Sequence, residues 1–374
     1  MQAGDAAAAA RHFVAAIAGD PQSGALQRNL ASAWRALGDD ERELAALDAA
    51  LAIDRRDLMA WIRKGERHEA RGDKGAALAA WSAAIALGGQ LSPVPAPLEA
   101  LLAHGQAFVA AATDTMFTAA SDAFDGMRGN LSETEARRGE AFIASALGRR
   151  RIYRNECAGI YYPFLPADEF FDRGHFPWFA EIEAQTDAIR AELQALLDDP
   201  GESLRPYVKM DPGTPESIWS ELDSQLDWGA CFLWEYGEPN QAVLDRCPAT
   251  AAALAAIPGA RIPGRAPSAF FSMLKPHTRI PPHTGVTNTR AIVHLPLIVP
   301  PGCGFRVGGE TREWEEGTAF AFDDTIEHEA WNDSDALRAV LIFDVWNPHL
   351  TSGEQDLLRR YFASADGSGY AVPR

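Results

Sequence analysis

Cysteine is scarce: there are four in 374 residues, Cys157, Cys231, Cys247 and Cys303, and none forms a CxxC pair. That excludes a disulfide framework and makes reduced thiols in a cytoplasmic protein the expectation. Long apolar runs are missing as well. No stretch reaches the roughly 18 uninterrupted apolar residues of a membrane span. The N-terminal MQAGDAAAAARHF has an early acid and no long apolar h-region, so no secretory signal is expected. Basic residues are outnumbered, 34 Lys and Arg against 52 Asp and Glu, for a formal net charge of -18. A general nucleic-acid binder needs a basic surface and is therefore disfavoured, although a local basic pocket for a small anion is not. What remains, 47% hydrophobic and 23% charged residues, is the composition of a soluble globular chain. Its length allows two domains, or one with a large extension.

The first 90 residues or so are rich in alanine and repeat themselves. GDDERELAALDAALAID begins at Gly38 and GDKGAALAAWSAAIALG at Gly72, an offset of 34. Leu44 matches Leu78, Ala49 matches Ala83 and Leu51 matches Ile85. VAAIAGD, at 14 to 20, is a partial third copy. A 34-residue helix-turn-helix period is similar to the tetratricopeptide repeat, in which stacked helix pairs bury what one pair cannot. A plain alanine-rich bundle is the alternative. LSPVPAP, at 91 to 97, breaks the array. Helical signals resume over 98 to 150, with Ser132 and Glu135 spaced as a capping box. YYPFLPADEFFDRGHFPW, 161 to 178, reads as an aromatic loop, and FAEIEAQTDAIRAELQALL, 179 to 197, as one amphipathic helix.

After about residue 225 the pattern changes to short β-like runs between turns: ACFLWEY, AFFSMLK, AIVHLPLIV, TAFAFDD and AVLIFDVW. These predict a sandwich or barrel of the jelly-roll type. The fold class expected is α+β and multidomain, with helices first and strands second.

Nine histidines are present, and four of them matter: His277, His283, His294 and His328. His283 follows a strand-like run and a proline-rich turn. His328 follows a strand and a turn 45 residues later. From opposite ends of a jelly roll, two imidazoles can converge inside its mouth, and imidazole suits ferrous iron with open positions. A lone histidine in an apolar run is more often a satisfied core residue. Ten residues after His328, Arg338 opens an apolar strand. A guanidinium facing inward there needs a partner and can grip a carboxylate through two parallel hydrogen bonds. The bland alternative is a surface salt bridge with one of the many acids, such as Asp333 or Asp335. Glu315, Glu316 and Gly317 read as a hairpin turn, Glu327 and Glu329 as structural acids facing away from His328, and His277 as a loop histidine.

SMLKP, PPHTGVTNTRAIVHLPLIVP, WEEGTAFAFDDTIEHEAWN and RAVLIFDVWNP together resemble the aspartyl/asparaginyl β-hydroxylase family of Fe(II)- and 2-oxoglutarate-dependent oxygenases. The likeness is continuous over about 272 to 348 and weaker through DWGACFLWEYG and the aromatic loop. Animal members also carry tetratricopeptide repeats ahead of the oxygenase domain. The resemblance implies a double-stranded β-helix core with His283 and His328 as iron ligands. Gly285 stands where many oxygenases have a third, acidic ligand; the resemblance implies a two-histidine site in which water would fill that position, with Asp324 as an acceptor for it. Arg338, helped by Ser272, would hold the distal carboxylate of 2-oxoglutarate. His294 would contact the carboxylate nearer the metal, and Trp228 would line the pocket. Arg290 corresponds to an arginine that faces the substrate's acid group. Animal members have a second arginine two residues on, where this chain has Ile292, so an epidermal-growth-factor-like substrate does not follow.

The expected organisation is helical repeats at 1–90, a helical connector at 91–160 and an oxygenase domain at 161–374. The expected activity is a 2-oxoglutarate-dependent dioxygenase, with Fe(II), 2-oxoglutarate and O2. It would hydroxylate an unactivated carbon, the β-carbon of an aspartyl or asparaginyl residue in a peptide or protein. The repeats could hold a protein partner; no nucleic acid and no membrane span are expected. The alternatives are a lipid A-type acyl-chain hydroxylase and a non-catalytic repeat and jelly-roll binding module.

Overall fold

The computed structural model describes residues 3–368 and divides into two compact units, Met1–Arg149 and Arg150–Arg374. The first is all helix: α1 (Ala3–Gly19), α2 (Gly24–Leu37), α3 (Asp40–Ile53), α4 (Leu58–Arg71), α5 (Lys74–Gly88), α6 (Ala96–Asp125) and α7 (Glu133–Ala146). The period of 34 is visible in the backbone. Helix α2 starts and ends 34 positions before α4, and α3 starts 34 before α5. Gly38 and Gly72 both terminate helices in the left-handed region, at φ 72° and 75°, which costs glycine least. Trp81, buried from α5, sits where side chains at Gly65 and Gly105 would collide with its ring. The chain leaves the helical array at 89–95 and re-enters a helix at Ala96. Ser132 and Glu135 form the capping box the spacing predicts.

The second unit holds α8 (Phe179–Glu183), α9 (Thr186–Asp198), α10 (Gln241–Leu244), α11 (Pro248–Ala256) and α12 (Ser352–Gly367) around eleven strands. The amphipathic stretch expected as a single helix over 179–197 is two: it breaks at Ala184 and Gln185. There the Thr186 hydroxyl donates to the Glu183 carbonyl at 2.7 Å, a local bond that competes with the helix ladder. The strands are β1 (Arg205–Pro206), β2 (Trp228–Glu235), β3 (Glu238–Pro239), β4 (Ala269–Leu274), β5 (Thr278–His283), β6 (Arg290–Ile298), β7 (Cys303–Val307), β8 (Glu310–Arg312), β9 (Phe320–Phe322), β10 (His328–Asn332) and β11 (Arg338–Trp346). The larger antiparallel sheet runs β1-β2-β4-β11-β6-β9, with β3 beside β2; the smaller runs β5-β10-β7-β8.

The large sheet is covered on both faces, and strand parity sorts its residues. From β11, Ala339, Leu341, Phe343 and Val345 enter a core that also takes Ile189 and Leu193 of α9 and Leu254 of α11. Val340 and Ile342 point the other way, into a second core shared with Ile280, Phe305 and Ala330 of the small sheet. Burial on both faces explains why β4, β6 and β11 read as nearly continuous apolar runs. A polar residue on the inner face of these strands is therefore an exception that asks for a reason.

Candidate active site

The exceptions coincide. On the inner parity of β11 stand Arg338 and Asp344; of β6, Arg290 and His294; of β4, Ser272; and at the start of β2, Trp228. All six line one cavity of about 390 Å³, together with His283, Asp324 and His328. The eight side chains singled out in the sequence as site candidates are thus brought together, with Tyr207, Trp219 and Asp344 added.

The two imidazoles arrive differently from the expectation. PPH is not a turn: Pro281 and Pro282 are in β5, an edge strand, where the missing backbone donors cost little. Nor do the histidines come from opposite ends of the barrel, because β5 and β10 are neighbours and His283 is the cross-strand partner of His328. Their ring centroids are 4.1 Å apart. Each Nδ1 faces a carbonyl two residues back, Pro281 at 2.8 Å and Ile326 at 3.0 Å. A carbonyl only accepts, so each Nδ1 carries the proton and each Nε2 keeps its lone pair free for a ligand. Burial lowers the pKa of both rings, His328 well below the ordinary value, and the neighbouring His283 lowers it further. Two neutral imidazoles this close are the donor set a divalent metal takes.

Gly285 follows in the same loop. A Cβ built there would run into the Asp324 carboxylate, so Asp324 occupies the space that a side chain at 285 would need. The backbone locks the arrangement, the Gly285 N–H donating to the Asp324 carbonyl at 2.6 Å. Burial, followed by the adjacent Asp323, pushes the Asp324 carboxyl up to about 7. Among the described residues, no three His, Cys, Asp or Glu side chains form a metal-holding group; His283 and His328 are the paired imidazoles of the cavity.

Arg338 is 1% exposed, and its Nε and Nη1 have no hydrogen-bond partner. Its burial excludes a surface salt bridge, and the two acids named as candidates are engaged elsewhere, Asp333 with Arg279 and Asp335 with His277. Burial alone pushes the guanidinium down to about 10. Trp314 lies under it at 4.9 Å. Nearby, the Ser272 hydroxyl accepts from Trp228 Nε1 at 3.1 Å, which leaves its own proton to donate. Buried His294 has an unpartnered Nδ1 and is kept neutral by burial and by Arg338. A buried cation and a free hydroxyl donor in one cavity are a donor set with the chemistry to bind a carboxylate.

Other expectations fall as read. Glu327 and Glu329 both pair with Arg306, away from the cavity. His277 is exposed, and Gly317 turns the chain at φ 78°. Asp344 went unnoticed although DVWNP contains it. Tyr207, stacked on Trp228 at 3.9 Å, and Trp219, 5.0 Å from His283, lie in segments without periodic signal.

A two-sheet β core that gathers paired neutral imidazoles and an unpaired guanidinium into one cavity defines a candidate active site. Residues 183–348 match the family described as Aspartyl/Asparaginyl beta-hydroxylase, and this stretch of the chain belongs to that family. It is 40% identical over 179 residues to the aspartyl/asparaginyl beta-hydroxylase of Homo sapiens, and 41% over 132 residues to that of Mus musculus. It is also 35% identical over 199 residues to the ornithine lipid ester-linked acyl 2-hydroxylase of Rhizobium tropici. These matches cover 47%, 35% and 52% of this chain, and only 23%, 18% and 66% of the relatives.

Proposed function

We infer that this chain is an Fe(II)- and 2-oxoglutarate-dependent dioxygenase that hydroxylates an unactivated carbon of a peptide or protein. The favoured target is the β-carbon of an aspartyl or asparaginyl residue. The observation that carries the reading is Arg338: a guanidinium at 1% exposure with Nε and Nη1 unpartnered carries a desolvation cost that an anionic ligand would offset. His283 and His328 would hold iron through Nε2. Arg338 and Ser272 would hold the distal carboxylate of 2-oxoglutarate, and His294 would meet the nearer one. Asp324 would accept a hydrogen bond from water in the coordination position that Gly285 leaves open. When bound, iron, 2-oxoglutarate and O2 supply the oxidation that places one oxygen in a C–H bond of the substrate and the other in succinate. Trp228, Tyr207 and Phe322 close the walls against water, and Arg290 faces the substrate.

A second groove of about 580 Å³ adjoins the cavity through Phe232, Glu235 and Tyr236, and Glu202, Arg205 and Asn240 line it. Such polar walls suit an extended peptide. The acyl-chain reading has support too, in the Rhizobium tropici relative and in a small apolar pocket of Ile160, Ile262 and Phe362 beside Arg290. The helical unit, with its 34-residue period, is read as tetratricopeptide-like and as a seat for a protein partner. No described helix is long and apolar enough to cross a membrane, and all four cysteines are free, in keeping with a cytoplasmic setting.

The test is succinate formation from 2-oxoglutarate under oxygen, with and without iron. Iron-dependent succinate separates the enzyme from a binding module. A product 16 mass units heavier in peptide pools or in acyl lipids separates the two enzyme readings. Absence of succinate in every condition would overturn both.

A further inference from the structure

The substrate end of the cavity is not simply basic. Arg290 Nη1 donates to Asp344 Oδ2 at 2.5 Å and to the Arg265 carbonyl at 3.3 Å. The two side chains are 17% and 2% exposed. Asp344 Oδ1 accepts the Ser268 N–H at 3.2 Å. The register places Ile292 opposite Asp344 and Arg290 opposite Trp346, so the pair is a diagonal contact across β6 and β11. Both face the cavity that holds His283 and His328.

Count the charges that line it. The cations are Arg290 and Arg338, and the acids are Glu235, Asp324 and Asp344. Arg338 is set apart on the reading above, and Glu235 is already paired with Arg205 at 2.5 Å. At the substrate end this leaves one guanidinium, paired with the Asp344 carboxylate, and the Asp324 carboxyl lining the same cavity. Ile292 adds no charge. A substrate carboxylate arriving here would share one cation with Asp344 and lie beside it in a poorly screened cavity. A carboxamide meets no such opposition. Its oxygen can accept from Arg290 Nε or Nη2, which have no protein partner among the described residues. Its NH2 can donate to the remaining lone pairs of Asp344.

Resting on the peptide reading, we propose that Arg290 and Asp344 act as one donor–acceptor pair that selects a carboxamide over a carboxylate, so that asparaginyl substrates are taken in preference to aspartyl ones. Asp344 is then a specificity-determining residue. A site built to hydrogen-bond both halves of an amide discriminates by about tenfold or more against a group that repels one half.

The experiment uses the full chain and two pools of random-flank peptides, identical except for a central Asn or Asp. Binding to the metal-free protein is measured first, by competition against one labelled peptide. Turnover with iron and 2-oxoglutarate is then scored by the 16-unit mass gain. The Asn pool should bind and turn over at least about tenfold better at neutral pH. Asp344→Asn, which keeps the shape and frees the Arg290 charge, should erase or invert that ratio. A thermal melt shows that the variant is folded, and the wild-type ratio stands without it. Equal or better use of the Asp pool by the wild type overturns this inference and leaves the peptide reading intact. If neither pool binds, the peptide reading fails and the inference falls with it.

Discussion

At the scale of the residue, Arg338 makes the sharpest demand. Its charge is buried, its Nε and Nη1 have no partner, and burial has already lowered its pKa to about 10. Without a ligand, this residue weakens the fold it sits in. Arg338→Met is therefore expected to melt higher than the wild type in the absence of 2-oxoglutarate, gaining about 1–3 kcal/mol from the removed unsatisfied donors. The same variant should lose the stabilisation that added 2-oxoglutarate gives the wild type. Thermal melts with and without the keto-acid read both effects; a ligand-free variant less stable than the wild type would show that Arg338 has a structural partner instead. Asp324 makes the second demand. Its carboxyl is raised from 3.8 to about 7, so the folded state binds a proton that the unfolded chain gives up earlier. The associated stability is present below about 3.8 and lost as pH rises through about 7. Compared with Asp324→Asn, the metal-free wild type should lose ground between about pH 4 and pH 7 and hold a constant difference above that. A difference that moves the other way would mean that Arg290 holds Asp324 ionised.

At the scale of the element, alternation did most of the work, and it explains what was readable beforehand. Arg338, His294, Arg290 and Ser272 stand out because they interrupt apolar strands at inner-facing positions, and a period of two can be counted in letters. The pairing of His283 with His328 could not be read so. It depends on Pro281 and Pro282 lying in an edge strand, and strand order is a tertiary fact. Asp344 was open to the same count, since it interrupts the apolar β11 at the parity of Arg338, but only the register with Ile292 shows that it faces Arg290. The loop at Gly285 makes a prediction at this scale. Two segments nearly forty residues apart meet there with no room between backbone and carboxylate. Gly285→Ala should destabilise the metal-free protein by about 1–3 kcal/mol through overpacking. In an Asp324→Ala background the same substitution should cost much less, with a coupling of about 1 kcal/mol or more. A double-mutant cycle by denaturant unfolding measures it, and additive costs would show that the two do not share that space.

At the scale of the molecule, the chain joins two units with separate cores and separate sequence signatures. The helical unit announces itself by period: positions 38 and 72 need a left-handed residue, and each is a glycine. Less visible is that Gly65 and Gly105 are small because Trp81 needs their space, since the offset of 34 does not relate them to it. All the site residues belong to Arg150–Arg374, so the packing of Trp81 can be altered without touching the chemistry. Gly105→Ala should gain about 1 kcal/mol in helix propensity. It should lose more than that, about 1–3 kcal/mol, because its Cβ enters the ring of a fully buried tryptophan that also holds Glu69 at 3.0 Å. The expected result is a lower melting temperature by circular dichroism, carried by the helical signal, with succinate formation per folded chain unchanged well below that temperature. A higher melting temperature would show that α6 can step away from Trp81. A loss of turnover in the still-folded variant would show that the helical unit acts on the cavity, which its separate core gives no reason to expect.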